Sequence, residues 1–468
     1  MKILLTTHQF FPKHGHGTEV LARDTGLEML KRGHEVHVLT VDPDVQVDSG
    51  EIAHEDYEYR GLKVRALELP RTHESIDRIR YEYNNQPVAR QVQQYLAEVT
   101  PDVAHIFHPA RLSASIIDAF KKAGLPVAFT PTDFWAICAR STLQKPSGEL
   151  STGPDEISSN CLECRNAQRL LPERDLPGTT DKREFYQKIA KRALAKAEDE
   201  HPNMELVRAM LARTEFLRER FNAVDAILAP TKLMQQMLTA NGIDPDLITI
   251  SPYGMDTSGF RDAKRHRSDA GELRVGYIGT IHRQKGLDVL MRAFKMLPRD
   301  GVTLRVCGDL KHHPDYAREV YDLADRDPRI NFAGPFPNEQ MAAELGKIDV
   351  LAVPSTWYEN TPLVIYSAFA AGIPVVASNL GGMAEVIRHG ENGLLFELRD
   401  PEGLARELKR LISEPGLLIK LGENAEGVRT VEDSVDEMLD LYERLREHNS
   451  GRAQRAASET PSRHRRGS

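Results

Sequence analysis

A repeated alternation of short apolar strands and amphipathic helices constrains the fold of this chain more than any other feature. The N-terminal segment predicts a strand at Lys2–Thr6, a helix at Glu19–Arg32 and a second strand at Glu35–Thr40. Gly33 stands just after the helix, where a positive φ ends it at little cost. Because strands joined by a helix run parallel with a right-handed crossover, we expect a doubly wound parallel sheet.

The same alternation recurs along most of the sequence. Further strands are predicted at Asp102–His105, Pro126–Thr130, Asp225–Ala229, Leu247–Ser251, Leu273–Ile278, Thr303–Cys307, Ile330–Phe332, Val350–Val353 and Val375–Ala377. Further helices are predicted at Leu112–Ala123, Lys232–Asn241 and Gly286–Met296. This order of elements is typical of the α/β class.

The organisation into domains follows from the length and from one change in composition. A chain of 468 residues is too long for a single core of typical size. Residues 254–271 are polar and rich in turn formers, so we predict a hinge there between Rossmann-like domains at 1–258 and 271–430 that face each other across a cleft. A helix at 434–447 and a disordered basic tail at 449–468 are expected to follow.

Composition argues against several classes of function. The formal net charge of −8 disfavours a nucleic-acid partner, because a phosphate backbone requires a basic binding face. We expect no membrane span, since no run of about 18 apolar residues occurs, and the N-terminal apolar stretch is too short for a signal peptide. Four cysteines in a chain of this length are typical of a reducing compartment, so we expect a cytoplasmic protein.

An insertion at about 138–201 interrupts the alternation. Its basic segment KREFYQKIAKRALAKA places Phe185, Ile189 and Ala193 four residues apart. One interpretation is a helix with a solvated basic face. The other is an interfacial helix that contacts anionic lipid at the inner face of a membrane, or an acceptor. The sequence does not separate the two.

Three cysteines of the predicted first domain, Cys138, Cys161 and Cys164, include one C-x-x-C pair. Three thiols joined by a histidine or a carboxylate are able to hold structural zinc. A fourth cysteine would make that set complete, and the fourth one of this chain, Cys307, lies in the other predicted domain. We therefore expect free thiols and no metal, with these three residues as the one candidate set.

The stretch STWYENTPLVIYSAFAAGIPVVASNLGG contains the strongest functional signal. Glu359 follows a predicted strand at its carboxyl end, where a carboxylate is able to accept hydrogen bonds from two neighbouring sugar hydroxyls. Leu363 and Val364 open a helix whose free N–H groups and dipole favour phosphate oxygens. Gly381 and Gly382 lack a β-carbon, which lets the backbone approach a ligand closely.

This stretch resembles the C-terminal signature of glycosyltransferase family four, which are retaining enzymes of the GT-B fold. The resemblance extends from the first strand to about residue 445. It implies a nucleoside diphosphate sugar as donor and a glycan, a lipid or a small molecule as acceptor. It also implies that no metal or other cofactor is obligatory, and that the helix at 434–447 returns to the first domain.

Two glycine loops resemble the donor-binding segments of the same family. GTIHRQKGLDVL contains Gly279 and Lys285, which match the glycine and the lysine that the resemblance assigns to the diphosphate. Thr280 stands where an arginine is common, and Arg283 in the same loop is a candidate to supply the missing charge. FPKHGHGTE resembles the N-terminal glycine loop, so Gly17 is expected near the diphosphate and the acceptor.

Two further positions depart from the family pattern. Ser367 lies where the family usually has a second glutamate that binds the ribose hydroxyls of the nucleotide. A hydroxyl at this position should weaken binding of the ribose by roughly 1–3 kcal/mol. TPTDFWAIC resembles a segment that often carries a histidine at the reacting centre, which Thr132 replaces here while Asp133 is kept. In the front-face mechanism of this family the departing phosphate oxygen takes the acceptor's proton, so a histidine base is not required.

These observations leave three hypotheses about function. The first is a retaining hexosyltransferase that carries Glu359, Lys285 and the pair Thr132–Asp133 at its reacting centre. The second is a degenerate relative that binds a sugar nucleotide or a glycan without turnover, which the departures favour. The third is another enzyme of the same fold, such as a sugar-nucleotide epimerase, which would need acid–base carboxylates near Glu359.

Overall fold

A computed structural model describes residues 1–48, 50–167, 181–195, 201, 203–260, 272–425 and 427–459. Its strands form one eight-stranded and one six-stranded sheet. The first sheet contains β1 (Lys2–Thr6), β2 (Glu35–Val47), β3 (Ala53–Tyr59), β4 (Leu62–Pro70), β5 (Val103–Ile106), β6 (Val127–Phe129), β7 (Ala226–Ala229) and β8 (Ile248–Ile250). The second contains β9 (Leu273–Ile278), β10 (Val302–Cys307), β11 (Ile330–Phe332), β12 (Val350–Val353), β13 (Val375–Ser378) and β14 (Gly393–Phe396).

The helices connect these strands and cover the sheets. Those before β9 are α1 (Gly17–Lys31), α2 (Ser75–Tyr83), α3 (Gln86–Val99), α4 (Ser115–Lys122), α5 (Ser159–Cys164), α6 (Lys182–Ala195), α7 (Met204–Phe221) and α8 (Lys232–Ala240). Those after β9 are α9 (Leu287–Lys295), α10 (Pro314–Ala324), α11 (Met341–Leu345), α12 (Leu363–Ala370), α13 (Gly381–Val386), α14 (Pro401–Ser413), α15 (Pro415–Glu423) and α16 (Val431–Glu459).

The strand order places β1 and β9 in the middle of their sheets. It is β3-β4-β2-β1-β5-β6-β7-β8 in the first sheet and β11-β10-β9-β12-β13-β14 in the second. Strands β5, β6 and β12 are buried along their whole length, as expected for parallel strands covered on both faces. Side chains such as Phe120 and Phe129 fill the first core, and Leu290 and Phe294 fill the second. The predicted α/β fold of two Rossmann-like sheets is confirmed.

One edge of the first sheet differs from the prediction. Strand β3 pairs with β4 antiparallel, with Ala53 opposite Glu68 and Tyr59 opposite Leu62, so the first sheet is mixed rather than wholly parallel. The sequence of β3, AHEDYEY, carries charges on most of its exposed positions and lacks the apolar run of a buried strand. Such charges are common on an edge strand, where they discourage pairing with another chain.

The last helix is longer than predicted. Helix α16 starts at Val431 and ends at Glu459, so residues 449–459 are helical rather than disordered, and residues 460–468 lie outside the described part of the chain. It packs on the first domain, where the side chain of Tyr442 is fully buried and hydrogen-bonds His105. Of the expected hinge, residues 261–271 also lie outside the described part.

The basic helix of the insertion is α6, and its apolar face is covered by protein. Phe185, Ile189 and Ala193 are 5%, 0% and 3% exposed, and they form a cluster with residues of α5 and α7. The face that would enter a lipid interface is therefore already buried, which favours the interpretation of a helix with a solvated basic side. None of the helices in the described part of the chain combines the length and apolar character that crossing a bilayer requires.

Candidate functional site

Glu359 lies after β12 and is held by three donors through one of its two oxygens. Its Oε1 accepts hydrogen bonds from Lys285 Nζ (2.6 Å), Ser355 Oγ (2.7 Å) and Trp357 Nε1 (2.9 Å). The residue is 5% exposed, so the carboxylate is fixed in position by these groups. Among the described residues no donor reaches Oε2, which leaves that oxygen available for the hydroxyls of a ligand.

A tight backbone contact brings Lys285 to this carboxylate. Lys285 ends a short 3-10 turn, and the next residue, Gly286, has a φ of 67°. A β-carbon on Gly286 would lie 1.9 Å from the carbonyl oxygen of Pro354, so only glycine lets the two segments approach. The N–H of Thr356 then donates to the carbonyl of Gln284 at 2.7 Å. The lysine is placed by backbone geometry and not only by its charge.

The amino end of α12 lies next to the N-terminal glycine loop of the first domain. Leu363 and Val364 are its first two residues, and no side chain caps its N-terminus. A β-carbon on Gly17, at the start of α1 in the first domain, would lie 3.7 Å from the side chain of Leu363. The N-terminal glycine loop and the amino end of α12 therefore meet across the seam between the two sheets, where both helix dipoles favour an anion.

The glycine pair supports Glu359 from behind. The N–H of Gly382 donates to the carbonyl of Glu359 at 2.9 Å, and a β-carbon on Gly382 would lie 1.7 Å from the carbonyl oxygen of Asn360. Gly381 has a φ of 56°. The close approach that these glycines permit is thus one between two protein segments. They position the loop that carries the carboxylate.

Asn360 joins the two domains next to Glu359. Its Nδ2 donates to the carbonyl of Pro131 (3.0 Å) and to Tyr253 Oη (2.9 Å), and its Oδ1 accepts from Thr231 Oγ1 (3.1 Å). Asn360 is 5% exposed. Because Pro131 precedes Thr132 and Asn360 follows Glu359, this contact brings the predicted reacting residues of the two domains together.

Thr132 and Asp133 lie at the carboxyl end of β6, in two different environments. Thr18 Oγ1 donates to Thr132 Oγ1 at 3.0 Å, which ties this segment to the glycine loop of α1. Asp133 Oδ1 accepts from the N–H of Trp135 (2.8 Å), and its Oδ2 lies 2.9 Å from His108 Nε2. Both residues therefore lie at the seam between the two sheets. Asp133 is hydrogen-bonded to the imidazole of His108.

His108 and His8 form a pair of neighbouring imidazoles, of which His108 contacts Asp133. Nδ1 of His108 accepts from the N–H of Ala110 (3.1 Å), so the proton is on Nε2, which donates to Asp133. The ring of His8 lies 4.5 Å from that of His108, and its Nε2 is 3.5 Å from Oε1 of the fully buried Glu19. Burial, with the neighbouring His108 and Arg111, lowers the pKa of His8 to about 2.

His105, which precedes this group on β5, is a core residue. It is fully buried, its Nε2 is 2.7 Å from Thr130 Oγ1 and its ring stacks on Phe107. Burial lowers its pKa to about 3, so the ring stays neutral. It links β5 to α16 and does not face the seam.

Several expected donor-binding residues are not among the groups that hydrogen-bond Glu359 in the described part of the chain. Ser367 is 6% exposed and its hydroxyl lies 3.1 Å from the carbonyl of Leu363, within its own helix. Arg283 forms an ion pair with Glu319 on α10, so its charge already has a carboxylate partner. Thr280 is exposed and its carbonyl accepts from Tyr277 Oη (2.8 Å). A β-carbon on the preceding Gly279 would lie 3.8 Å from the same Tyr277 oxygen.

The three thiols of the insertion lie near one another but are not within 4.8 Å of one another as a set in the described part of the chain. Burial raises the pKa of Cys161 to about 12 and that of Cys164 to about 11, and the thiol of Cys138 adds to both shifts. A thiol that stays protonated is a poor nucleophile. In the described part of the chain, the group of three possible ligand atoms within 4.8 Å of one another consists of a histidine and two aspartates and includes no thiol.

Several residues of the site were missed in the sequence. Ser355, Trp357 and Asn360 flank Glu359 within the same quoted stretch, and their side-chain polar atoms all bond to groups of the site. Polar residues clustered around one acid after a buried strand were an available signal. Glu385 was also missed, although its carboxylate accepts from the N–H groups that start α8 at 2.7 and 2.8 Å. Its role depends on a contact between domains that no local pattern reveals.

Two facing parallel-sheet domains, with a lysine–carboxylate pair and a glycine loop at their seam, define the class of GT-B proteins. The family model described as glycosyl transferases group 1 matches residues 272–414, and the one described as glycosyl transferase 4-like domain matches residues 16–153. Together they match more than half of the 468 residues. The chain belongs to the group 1 glycosyltransferases, which confirms the family expected from the sequence.

Similar proteins agree with this family. The D-inositol 3-phosphate glycosyltransferases of Rhodococcus jostii and Corynebacterium glutamicum are 32% and 30% identical over 231 and 208 residues, which are 45% and 41% of this chain. The chain spans about half the length of these curated relatives, since the match covers 50% of each.

Solved structures with the same fold are more distant in sequence. HepE of Anabaena in complex with UDP and glucose is 17% identical with a TM-score of 0.61, and the match covers 94% of this chain and 99% of that chain. Sucrose-phosphate synthase of Thermosynechococcus elongatus is 17% identical with a TM-score of 0.63, covering 95% and 98%. At such identities the likeness establishes the GT-B fold alone.

Proposed function

We propose that this protein is a retaining glycosyltransferase that moves a hexosyl group from a nucleoside diphosphate sugar to a glycan, a lipid or a small-molecule acceptor. The observation that carries the proposal is the Lys285–Glu359 pair, 2.6 Å apart, at the amino end of α12 and opposite the glycine loop of α1. A cation, a carboxylate and two helix termini at one seam match the phosphates and hydroxyls of one activated sugar.

Each group has a role that follows from its charge. Oε2 of Glu359 accepts hydrogen bonds from the sugar hydroxyls, because Oε1 is occupied by protein donors. Lys285 and the N–H groups that start α12 stabilise the negative charge that develops on the diphosphate as the glycosidic bond breaks. The departing phosphate oxygen takes the acceptor's proton, so Thr132 need only position the sugar. The closed seam orients donor and acceptor and excludes water.

A non-catalytic sugar-nucleotide or glycan binder is the second candidate. The observation that favours it is the buried hydroxyl of Ser367, which bonds within its own helix where the family usually has a ribose-binding carboxylate. An epimerase of the same fold is less well supported, because the groups bonded to Glu359 in the described part of the chain are an ammonium, a hydroxyl and an indole rather than a second acid.

The finer points of the partners belong to the same proposal. We propose that no metal or other cofactor is obligatory and that nucleic acid is not a partner, in line with the net charge of −8. Cytoplasmic location follows from the composition. Peripheral contact with a membrane would have to use a surface other than the apolar face of α6, which is buried.

The experiment is a thermal-shift screen of the full chain against nucleoside diphosphate sugars, followed by a transfer assay with each stabilising donor. A ligand that binds the folded state raises its melting temperature. Release of the nucleoside diphosphate, with an α-linked product from an α-linked donor, supports the transferase. A donor that stabilises the protein without any turnover or hydrolysis supports the binder instead, and the absence of any stabilising donor contradicts both.

A further inference from the structure

A pocket of about 580 Å³ lies between the two domains, and neither Lys285 nor Glu359 lines it. The first domain contributes residues 144–148, which belong to a tight hairpin closed by a bond from the N–H of Lys145 to the carbonyl of Glu149 at 2.8 Å. The second domain contributes the turn before Lys285, the first turns of α9 and the start of α14. We name it the interdomain pocket. A ligand held there would contact both domains.

The charged side chains that line the interdomain pocket are cations with one exception. They are Arg140, Lys145, Arg283, Arg292, Arg399 and the carboxylate Asp288. Two of the cations already have acidic partners, because Lys145 lies 2.9 Å from Glu149 and Arg283 pairs with Glu319 on α10. The carboxylate accepts a hydrogen bond from Tyr316 Oη at 2.7 Å. Three guanidinium groups and one carboxylate therefore remain to be balanced.

The three remaining guanidinium groups are those of Arg140, Arg292 and Arg399. In the described part of the chain no carboxylate oxygen lies within 4.0 Å of any of them. All three residues are exposed, so a ligand is able to reach them. Their excess over the single carboxylate of Asp288 creates a positive potential in the pocket, although the chain as a whole has a net charge of −8.

Arg399 reaches from the second domain to the hairpin of the first. Its φ is 59°, a left-handed conformation that is unfavourable for a residue with a β-carbon. One of its terminal nitrogens donates to the carbonyl of Gly148. A β-carbon on Gly148 would lie 3.1 Å from the same nitrogen, so the two segments are close. Among the described residues no other group accepts from this guanidinium, which leaves its remaining N–H groups available to a ligand.

The other two arginines stand on different domains. Arg140 Nε donates to the carbonyl of Gln144 at 3.2 Å, which ties this guanidinium to the hairpin and leaves its two terminal nitrogens available. Arg292 lies on α9 and makes no hydrogen bond within the described part of the chain. An anion between them would therefore bond to both domains without breaking an existing ion pair.

The hairpin of the pocket is connected to the turn that carries Lys285. Gln144 is 6% exposed, and its Nε2 donates to the carbonyl of Thr356 at 2.9 Å. The N–H of Thr356 donates in turn to the carbonyl of Gln284, the residue before Lys285, at 2.7 Å. A ligand that holds the hairpin against the second domain would therefore also stabilise the turn that places Lys285 at the donor site.

We propose that the interdomain pocket binds the phosphoryl group of a soluble small molecule, which bridges the two domains and strengthens binding of the donor. The anion site depends on the pocket itself, whereas its effect on the donor rests on the proposed transfer reaction. A phosphate monoester has several terminal oxygens and up to two negative charges, so it accepts hydrogen bonds from several guanidinium groups at once. A carboxylate with one charge balances fewer of them.

The test measures binding of inorganic phosphate to the full chain by calorimetry at constant ionic strength, with and without saturating UDP. Because UDP occupies the donor site, phosphate that binds in its presence binds elsewhere. Arg292→Gln and Arg399→Gln should weaken this binding roughly tenfold or more, since each loses a charged hydrogen bond. The matched control is Arg299→Gln, at an exposed position just after α9 that does not line the pocket. It should change the affinity by less than about twofold, because charge at a distance is screened.

The effect on the donor site is measured by titration of UDP at the same ionic strength. Saturating phosphate should lower the dissociation constant of UDP by about fivefold or more in the wild type and in Arg299→Gln, but not in Arg292→Gln. Arg292→Gln guards against a folding defect in Arg399→Gln, because Arg292 makes no hydrogen bond within the described residues whereas Arg399 does. The circular dichroism spectrum and the melting temperature of each variant are compared with those of the wild type.

Several results would overturn the inference. They are no phosphate binding by the wild type, binding that UDP abolishes, unchanged binding in both pocket variants, and an equal loss in Arg299→Gln. An affinity for UDP that phosphate does not change would overturn the bridging role. Sedimentation with phosphatidylcholine vesicles that contain phosphatidic acid, lost in Arg292→Gln, would contradict a soluble ligand and indicate a lipid headgroup.

The same titrations separate this inference from the proposed function. If UDP binds and phosphate does not, the inference fails alone. If phosphate binds through the pocket arginines and no nucleotide or nucleotide sugar binds, the proposed function and the effect on the donor fail while the anion site stands.

Discussion

The ammonium of Lys285 lies 2.6 Å from the carboxylate of Glu359, although 74 residues separate them in the sequence. The carboxylate side chain is 6% exposed and the lysine side chain 31% exposed, so the pair is partly shielded from solvent. A charge-assisted hydrogen bond in such a setting fixes both groups. Each side chain therefore holds the other in position for binding a ligand. Removal of either side chain should leave the other less well positioned.

Replacement of Lys285 by Gln is expected to lower the rate of transfer by about 10² to 10³, because it removes a fixed cation where the leaving diphosphate gains charge. Affinity for UDP should fall as well. Steady-state kinetics with a saturating acceptor and calorimetry with UDP measure the two effects. Arg283→Gln is the matched control from the same loop, and because Arg283 pairs with Glu319 its transfer rate should stay close to that of the wild type.

Gly382→Ala should damage the site without touching a ligand. The new β-carbon would lie 1.7 Å from the carbonyl oxygen of Asn360, so the loop that carries Glu359 must move. We expect a loss of about 1–3 kcal/mol in stability, as in other overpacked positions, together with weaker donor binding. Urea unfolding and UDP titration measure these. Gly416→Ala on α15, where nothing lies within 4 Å, should be neutral or slightly stabilising.

Asn360→Ala should loosen the contact between the two domains. It removes hydrogen bonds to the carbonyl of Pro131 and to Tyr253 Oη, and it leaves buried polar groups without a partner. Small-angle scattering should give a larger radius of gyration for the variant, and the KM for the donor should rise. Asn379→Ala, on an exposed loop of the second domain, should change neither. An unchanged radius and KM in Asn360→Ala would show that the seam closes by other means.

Stability should fall with acidity through His105. Burial lowers its pKa from 6.5 to about 3, so between these values the unfolded chain binds more protons than the folded one. Its contribution is fully present above the unfolded pKa and is lost as the pH falls toward 3, with a slope of at most about 1.4 kcal/mol per pH unit. Across this pH range the urea midpoint of His105→Gln should depend less on pH than that of the wild type. In the control His312→Gln, which replaces an exposed ring, the midpoint should depend on pH as much as it does in the wild type.

The sequence allowed the parallel strands and the Lys285–Glu359 site to be predicted for a clear physical reason. Strands such as β5 and β12 are buried on both faces, so they read as apolar runs, and residues at their carboxyl ends must meet at one edge of a sheet. The edge strand β3 escaped prediction because its exposed positions are charged. Helix α16 was predicted too short because its last turns lack the apolar positions that mark a packed face.

Side-chain partners across elements were the part that could not be predicted. The pairing of Arg283 with Glu319 depends on where α10 lies relative to the glycine loop, and the bond from Ser367 to Leu363 depends on a rotamer. We expected Gly382 to allow a ligand to approach, because the sequence shows that glycine has no β-carbon. The sequence does not show that the Asn360 carbonyl occupies the space where that β-carbon would lie. The spacing of residues in the sequence therefore identifies candidate site residues, whereas the packing of the folded chain determines which groups they contact.

The most direct measurement compares the wild type with Glu359→Gln for release of nucleoside diphosphate from the donor that most stabilises the wild type. The two side chains have nearly the same shape, so folding should be retained while the charge that the sugar hydroxyls and Lys285 require is lost. We predict release by the wild type and a loss of about 10²-fold or more in the variant, with an unchanged circular dichroism spectrum. Equal release by a folded Glu359→Gln protein would contradict the account.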